Sequence, residues 1–306
     1  MMRGYGIGLV AVVGLLGWVA LWHGNLYPTF PLLPDFQIIS NLTNQAGRIN
    51  VSTRTVLRQT QLEESPFRDY LLFEETFEGI EPLATAVNLQ TFSDHSFRIA
   101  PDPVNTKNKA GRFELRVSDD MVHRGKRSEL FLIDRVTDKE MWYSFAVFFP
   151  KEGYAPDSTN ELISQWHQGG SPPISLRTVD NIIYLRLRHS TNPDKWKVME
   201  IAPLTKDVWH EFVFHIIHSA GSDALLEVWH NGQKRVTYSG PNHFEEKKMP
   251  YWKVGVYKAK WNHNRTASDR RVIYFDNIRA GNQLASYEMM KPTRGIRKTE
   301  SDFGYR

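Results

Sequence analysis

The chain has 306 residues, of which 41% are hydrophobic and 12% aromatic, which suffices for one large core or two smaller ones. It contains no Cys, so disulfide bonds and thiol chemistry are excluded. The net charge of +4 comes without a long run of Lys or Arg, which argues against nucleic acid as a partner and leaves a mildly basic surface that attracts polyanions.

The first predicted element is an apolar stretch from Tyr5 to Trp22, preceded by one positive charge at Arg3. Its length of about 18 residues lies between a signal-peptide core and a membrane span. Because Trp18 stands where a cleavage site needs a small residue, we favour a signal anchor over residues 1–24 to a cleaved signal peptide. We therefore expect an exported protein that is secreted, periplasmic or tethered to the membrane by this segment alone.

Composition divides the rest of the chain into three parts. Residues 25–68 are rich in Pro, Asn, Thr, Arg and Gln, which is typical of a linker. Residues 69–290 form one block with a folded pattern, and residues 291–306 are a polar tail. We expect the folded block to be a monomer.

Short alternating runs separated by turns dominate the folded block. They predict strands at 141–149, 182–188, 209–217, 225–230, 233–238 and 272–278. Asn231 and Gly232 between two of these runs predict a tight hairpin. Because no long amphipathic helix is predicted, we expect an all-β fold, a β-jelly roll of two antiparallel sheets preceded by the N-terminal hydrophobic segment.

Three motifs within this block place polar groups at every second residue: Arg-Ser-Glu-Leu at 127–130, Gln-Trp-His at 165–167 and Tyr-Trp-Lys-Val-Gly-Val-Tyr at 251–257. Alternate residues of a strand project from one face of the sheet. The residues that share a face within each motif are Arg127 with Glu129, Gln165 with His167, and Tyr251 with Lys253 and Tyr257. Trp166 and Trp252 project from the opposite face, where we expect core packing. The polar set suits removal of a proton next to a carboxylate.

The three motifs, in this order, resemble those of β-jelly-roll polysaccharide lyases, in particular alginate lyases. The wider strand pattern is similar to that of heparin lyase I and glucuronan lyase. The stretches that carry this second likeness are 72–79, Phe148-Phe-Pro150, Trp209-His210, 228–232 and 274–278. The resemblance covers roughly residues 70–290 and implies a lyase that cleaves a uronic-acid polysaccharide by β-elimination.

The resemblance also implies a role for each catalytic candidate. Gln165 and Arg127 would neutralise the substrate carboxylate and stabilise the enediolate that forms when the C5 proton leaves. His167 would be the base, and Tyr257 would protonate the leaving oxygen. In a syn elimination Tyr257 would do both, with His167 helping to neutralise. No redox or organic cofactor is required for this chemistry.

The remaining site predictions concern substrate binding and metal. Lys253 would hold a carboxylate or sulfate or lower the pKa of Tyr257, and the other predicted binding residues are Tyr251, Glu129, Arg186 and Arg188. Glu129 has the alternative of a salt bridge with Arg127, Tyr251 the alternative of packing, and Arg186 and Arg188 the alternative of a solvated face. A structural Ca²⁺ fits this fold, with Glu78 and Asp276 and backbone oxygens as ligands.

Two other functions stay open on the sequence. A non-catalytic carbohydrate-binding jelly roll would keep the aromatic residues and the basic groove without needing His167 and Tyr257 together. A jelly-roll glycoside hydrolase is disfavoured because no Glu-x-Asp-x-x-Glu strand is present to supply its two carboxylates. We therefore expect a lyase whose partner is an anionic polysaccharide.

Overall fold

The computed structural model describes residues 69–293, except for residues 87, 134–137 and 245–247. The predicted anchor, the linker and all but the start of the polar tail lie outside the described residues, and the predicted boundaries of these segments stay predictions. Within the described ranges no helix is both long and apolar enough to span a membrane.

The described residues form fifteen strands and one short α-helix. The elements in chain order are β1 (Leu71–Glu75), β2 (Asn88–Gln90), β3 (Phe97–Pro101), β4 (Lys109–Arg116), β5 (Arg127–Ile133), β6 (Glu140–Phe148), β7 (Glu161–Gln168), β8 (Ser171–Val179), β9 (Ile182–Leu187), β10 (Lys197–Pro203), β11 (Trp209–Ile217), β12 (Leu225–His230), β13 (Gln233–Ser239), β14 (Tyr251–Tyr257), β15 (Arg270–Gly281) and α1 (Tyr287–Met290). Two 3-10 turns lie at Pro193–Lys195 and Ala259–Asn262.

The strands make two antiparallel sheets that face each other. The first sheet has the order β13-β12-β11-β6-β15-β4-β3, with β1 added beside β15. The second sheet has the order β10-β9-β8-β7-β14-β5-β2. This confirms the predicted all-β jelly roll of two antiparallel sheets.

The strand boundaries follow the alternation closely. β11 and β12 have the predicted bounds, and Asn231 and Gly232 join β12 to β13 with φ angles of 48° and 82°. The last strand, β15, is longer than predicted at both ends. Pairing with β4, β6 and β1 extends it, which the local pattern of one strand does not reveal.

The hydrophobic core fills the space between the sheets. Trp166 of β7 and Trp252 of β14 are both 0% exposed and stack 6.1 Å apart, and Tyr143 of β6 contacts both edge-on. Trp252 Nε1 donates a hydrogen bond to Ser164 Oγ at 3.0 Å, which satisfies its buried polar atom. The predicted inward direction of both tryptophans is confirmed, so the polar residues of the same strands lie on the outer face of the second sheet.

Candidate functional site

The three motifs lie on three neighbouring strands, β7, β14 and β5, at the middle of the second sheet. β14 is paired with β7 on one side and with β5 on the other. The paired residues on the polar face are Tyr251 with His167, Lys253 with Gln165, Gly255 with Glu129, and Tyr257 with Arg127. The register therefore gathers residues that are up to 130 positions apart in the sequence (127 and 257).

Gly255 is required by the pairing of β14 with β5. Its φ of 133° is rarely adopted by other residues, and a Cβ at this position would lie 2.3 Å from the carbonyl oxygen of Ser128. The gap that the sequence shows in the polar row is therefore required, because a side chain at Gly255 would collide with the backbone of β5 at Ser128 and Glu129.

A cavity of about 490 Å³ opens above these strands. All four predicted catalytic residues line it, and so does Arg186. The complete lining is His123, Arg124, Arg127, Asn160, Leu162, Gln165, His167, Gly170, Ser171, Pro172, Arg177, Arg186, Tyr257 and Ala259. Because this lining of described residues carries four guanidinium groups and no carboxylate, the cavity suits an anionic ligand.

Glu129 lies beneath the cavity rather than in its wall, and it is 2% exposed. Arg127 Nη1 donates to Glu129 Oε2 at 3.0 Å, and the amide nitrogen of Gln165 donates to Glu129 Oε1. Lys253 Nζ lies 3.9 Å from the same carboxylate. One buried carboxylate thus holds the side chains of two residues of the cavity wall, Arg127 and Gln165, in fixed positions.

His167 is held as a neutral imidazole. Burial, followed by the nearby charges of Lys253 and Arg127, lowers its pKa to about 4. Its ring stacks on Tyr251 with the centroids 4.9 Å apart. Its Nδ1 atom is buried and makes no hydrogen bond to the described residues. An imidazole that is neutral throughout the physiological range can accept a proton.

Arg127 and Tyr257 are in contact at the other side of the cavity. The Arg127 guanidinium carbon lies 4.5 Å from the centroid of the Tyr257 ring, within the range of a cation–π interaction. Gly125 packs on the same pair, because a Cβ there would come within 2.5 Å of the Tyr257 ring and 2.9 Å of Arg127 Nη2. The Tyr257 ring is therefore packed against both the Arg127 guanidinium and the backbone of Gly125.

Four predicted binding residues do not line the cavity: Glu129, Lys253, Tyr251 and Arg188. Lys253 is 3% exposed and its Nζ donates to Gln90 Oε1 at 2.7 Å, while burial lowers its pKa. Arg188 follows the end of β9, donates to Ser171 Oγ at 3.0 Å and lies 4.4 Å from the Trp196 ring. These side chains support the residues of the wall from outside it.

Nine residues of the wall were not predicted, and they include Arg177, Asn160, His123 and Arg124. Arg177 of β8 donates to Ser175 Oγ at 2.8 Å and to Asn160 Oδ1 at 2.5 Å. Burial and the nearby Arg186 lower its pKa to about 9, which leaves it cationic at neutral pH. The alternation of Ile174, Ser175, Leu176 and Arg177 is the sequence signal that could have placed Arg177 on the polar face.

A second cavity, of about 640 Å³, is also lined by Tyr257. Tyr257, Asn160 and Ala259 line both cavities, so the two are parts of one cleft. The other residues of the second cavity are Ser158, Thr159, Lys260, Asn262 and His263. Tyr257 therefore contributes to the walls of both parts of the cleft.

A buried network of ion pairs fixes the end of β14 beside Tyr257. Lys258 is 0% exposed, and its Nζ pairs with Glu161 and lies 3.4 Å from Asp157. The hydroxyl groups of Thr266 and Ser268 and the hydroxyl and backbone N–H of Thr159 donate to Asp157 and, with burial opposing them, lower the pKa of that carboxyl. Because Tyr257 precedes Lys258, this network restricts where the phenol can lie.

No group of three or more His, Cys, Asp or Glu side chains in the described residues is arranged to hold a metal ion. This does not test a Ca²⁺ site made of Glu78, Asp276 and backbone oxygens. In the structure Glu78 Oε1 accepts from the backbone of Lys109 at 2.6 Å, and Asp276 accepts from the backbone and side chain of Asn277. The Ca²⁺ site therefore stays a prediction.

Comparison with known proteins gives one family and one fold. The family model described as polysaccharide lyase matches residues 57–279. An endo-β-1,4-glucuronan lyase from the fungus Trichoderma reesei superposes with a TM-score of 0.59 at 16% identity, covering 72% of this chain and 98% of that one. A marine alginate lyase from Aplysia kurodai superposes with a TM-score of 0.50 at 13% identity, covering 69% and 99%. No curated protein matches the sequence. At these identities the structural likeness establishes the fold alone.

Proposed function

Because the chain belongs to the polysaccharide lyase family, we propose that this lyase cleaves a uronic-acid-containing polysaccharide by β-elimination and leaves an unsaturated uronate at the new end. The observation that carries the proposal is the placement of Arg127, Gln165, His167 and Tyr257 around one cationic cavity. The proposed substrate is an anionic polysaccharide, and the likenesses to an alginate lyase and a glucuronan lyase support the jelly-roll cleft that such a polymer needs.

The first step is removal of the proton at C5, which is barely acidic beside an ionised carboxylate. Arg127 and the Gln165 amide neutralise that carboxylate, so that the negative charge developing on it is stabilised as the C–H bond breaks. Neutral His167 accepts the proton. Arg127 and Gln165 are buried, which strengthens their interactions with the carboxylate because little water competes with them.

The second step breaks the bond between C4 and the glycosidic oxygen. The electron pair of the former C5–H bond becomes the C4=C5 double bond, and the leaving oxygen stays with the neighbouring sugar. Tyr257 donates its proton to that oxygen. Its place in the lining of both cavities supports this role, because the uronate that loses its proton would occupy the arginine-lined cavity and the leaving sugar the other one.

The reaction has a direct test, because an unsaturated uronate absorbs in the ultraviolet. We expect absorbance to rise when the protein is incubated with at least one polymer of a panel containing alginate, glucuronan and heparin. Mass spectrometry of the products should show the loss of water relative to hydrolysis products. Binding of these polymers without any rise in absorbance would refute β-elimination.

The acid limb of the pH profile should report His167. The neutral imidazole is the active form, and its population falls as pH drops through its pKa of about 4. We therefore expect kcat/KM of the wild type to fall on the acid side only near pH 4, well below an ordinary histidine value of about 6.5.

The variant Lys253→Met distinguishes protonation of His167 from protonation of the substrate carboxylate as the origin of the acid limb. Removal of the Lys253 charge raises the pKa of His167, so the acid limb should move to higher pH. Lys234→Met, an exposed lysine that packs over Trp229 on the first sheet, is the control and should leave the limb in place. An acid limb that Lys253→Met does not move would show that His167 is not the group titrating.

We also propose that the enzyme works outside the cytoplasm as a monomer and needs no organic cofactor. The apolar stretch 5–22 supports export, since it has the length and composition of a targeting segment. The four proposed catalytic side chains supply the neutraliser, the base and the acid, so no cofactor has a role in the proposed steps. Fractionation of the producing cells, with detection of the full chain, tests the location.

A further inference from the structure

Two consecutive residues at the rim of the cavity, His123 and Arg124, hold backbone conformations that non-glycine residues rarely adopt. Their φ angles are 47° and 64°. They are the central residues of a turn closed by two hydrogen bonds between Val122 and Gly125, at 2.9 and 3.1 Å. Positive φ at both central positions is the pattern of a type I′ turn, for which Asn-Gly is the favoured sequence. The chain therefore has His-Arg at two positions where the backbone conformation favours Asn-Gly.

This turn is built into the site and is not a loose loop. The backbone N–H of Lys126 donates to Asn262 Oδ1 at 2.8 Å, and Arg127 Nη2 donates to the carbonyl oxygen of His123 at 3.3 Å. Gly125 packs against Tyr257. These contacts hold the turn in its strained conformation, and unusual backbone conformations that are held in this way are concentrated at functional sites.

The side chains explain what the strained sequence provides. Both His123 and Arg124 are exposed and both line the cavity. Within the described residues Arg127 pairs with Glu129, whereas Arg124, Arg177 and Arg186 make no ion pair, and of these three only Arg124 is exposed. Its guanidinium is thus a cation at the cavity mouth whose charge no carboxylate of the described chain neutralises.

We propose that the His123–Arg124 turn is a specificity element in which Arg124 binds a second oxyanion of the substrate, in addition to the carboxylate of the reacting uronate. This second oxyanion is either the carboxylate of a neighbouring uronate or a sulfate ester, and a guanidinium binds both through two parallel hydrogen bonds. The inference rests on the proposed function, since it assigns Arg127 and Gln165 to the first carboxylate. It makes the preferred substrate a glycan with more than one anionic group near the scissile bond.

Arg124→Gln should raise KM by about 10- to 100-fold, as loss of a charge-assisted hydrogen bond predicts, and change kcat much less. Arg124→Lys should recover only part of the loss, because an ammonium group cannot bind bidentately. Arg98→Gln, an exposed arginine on β3 of the other sheet, is the matched control and should behave as the wild type. If Arg124→Gln has the KM of the control, the inference is wrong.

Comparing the effect of Arg124→Gln on different polymers identifies the chemical group that supplies the second oxyanion. A loss that is seen with a sulfated polymer and disappears with its desulfated form identifies a sulfate ester. A loss that persists with an unsulfated polyuronate identifies a neighbouring carboxylate.

A double variant, His123→Asn with Arg124→Gly, tests the strain separately. It gives the turn its favoured sequence, so Tm should rise by about 2–4 °C while kcat/KM falls as in Arg124→Gln. A turn that is only structural would gain the same stability and lose no activity, which would overturn the inference.

Failure of the proposed function is distinguishable from failure of this inference. If the wild type cleaves none of the polymers by β-elimination, the proposed function fails. Calorimetric titration with the same polymers then measures how much Arg124 contributes to binding. Weaker polymer binding by Arg124→Gln than by Arg98→Gln would still support the second oxyanion site, and equal binding would refute it.

Discussion

Tyr257→Phe is expected to lower kcat by about 10²- to 10⁴-fold on the best substrate, with little change in KM, as loss of a general acid predicts. The substitution removes one oxygen atom and keeps the ring, so the contact with the Arg127 guanidinium at 4.5 Å is retained. The leaving oxygen then departs without a proton, which raises the barrier to breaking the bond to C4. Initial rates of ultraviolet absorbance across a range of substrate concentrations measure both constants.

Tyr274→Phe provides the control for loss of a tyrosine hydroxyl. Tyr274 lies on β15 of the other sheet, where its ring packs edge-on against Phe148, and it does not line the cleft. We expect its kinetic constants to equal those of the wild type. A Tyr257→Phe enzyme within about threefold of Tyr274→Phe would exclude the phenol from the chemistry, because general acids contribute far more than this.

The Tyr257→Phe variant also separates the two roles proposed for Tyr257, general acid alone or both acid and base. If it acts only as the acid, a synthetic uronate with a good leaving group at C4 should recover most of the lost rate, because such a group needs no proton. If it is also the base of a syn elimination, that substrate should recover little. If the imidazole is the base, His167→Ala should recover none of its lost rate with this substrate, because a good leaving group does not replace the base.

The fold could be predicted because it follows from local alternation. Trp166 and Trp252 separate the core face of their strands from the polar face, and every strand that the alternation predicted is present. Alternation does not predict how far a strand is extended by pairing with its neighbours. β15 is longer than its local pattern because it pairs with β4, β6 and β1. Strand pairing is non-local, so its extent is decided by packing and not by a seven-residue window.

For the site, the sequence predicted only which side chains lie on the polar face of the sheet. Period-two alternation places Glu129 and Lys253 on the polar face, but it does not say how far each side chain stands from the cavity, and both proved to lie beneath it. Depth depends on what covers a side chain, which is a tertiary property. The His123–Arg124 turn was missed for another reason, since its sequence carries none of the Asn-Gly chemistry that marks such turns.

Arg177 shows the limit of a reading based on motifs. It stands on the polar face of β8 by the same alternation that identified His167, yet no neighbouring polar residue forms a recognisable motif with it. Its functional position comes from the order of the strands, because β8 is the neighbour of β7 in the second sheet. Strand order is set by the connections and the core, so a single sequence contains it only implicitly.

The second large effect is expected at Glu129, whose carboxylate is 2% exposed and is shared by Arg127, Gln165 and Lys253. Glu129→Gln keeps the shape and removes the charge, which leaves two buried cations without their counter-ion. We expect the free energy of unfolding to fall by about 3–5 kcal/mol, as for breaking other buried ion pairs. Urea unfolding followed by tryptophan fluorescence measures this change.

Glu114→Gln is a matched control that separates stability from catalysis. Glu114 is also 2% exposed and binds the three guanidinium groups of Arg112, Arg116 and Arg270, but on the first sheet, away from the cleft. Both variants should lose stability for the same electrostatic reason. Glu129→Gln alone should also lose turnover per folded molecule, because the new amide has one acceptor oxygen where the carboxylate has two, and the Gln165 amide and the Arg127 guanidinium are no longer both held in their positions toward the substrate carboxylate. A direct substrate-binding role for Glu129 would instead appear in KM with normal stability, and equal turnover in the two variants would show that the carboxylate beneath the cavity positions nothing.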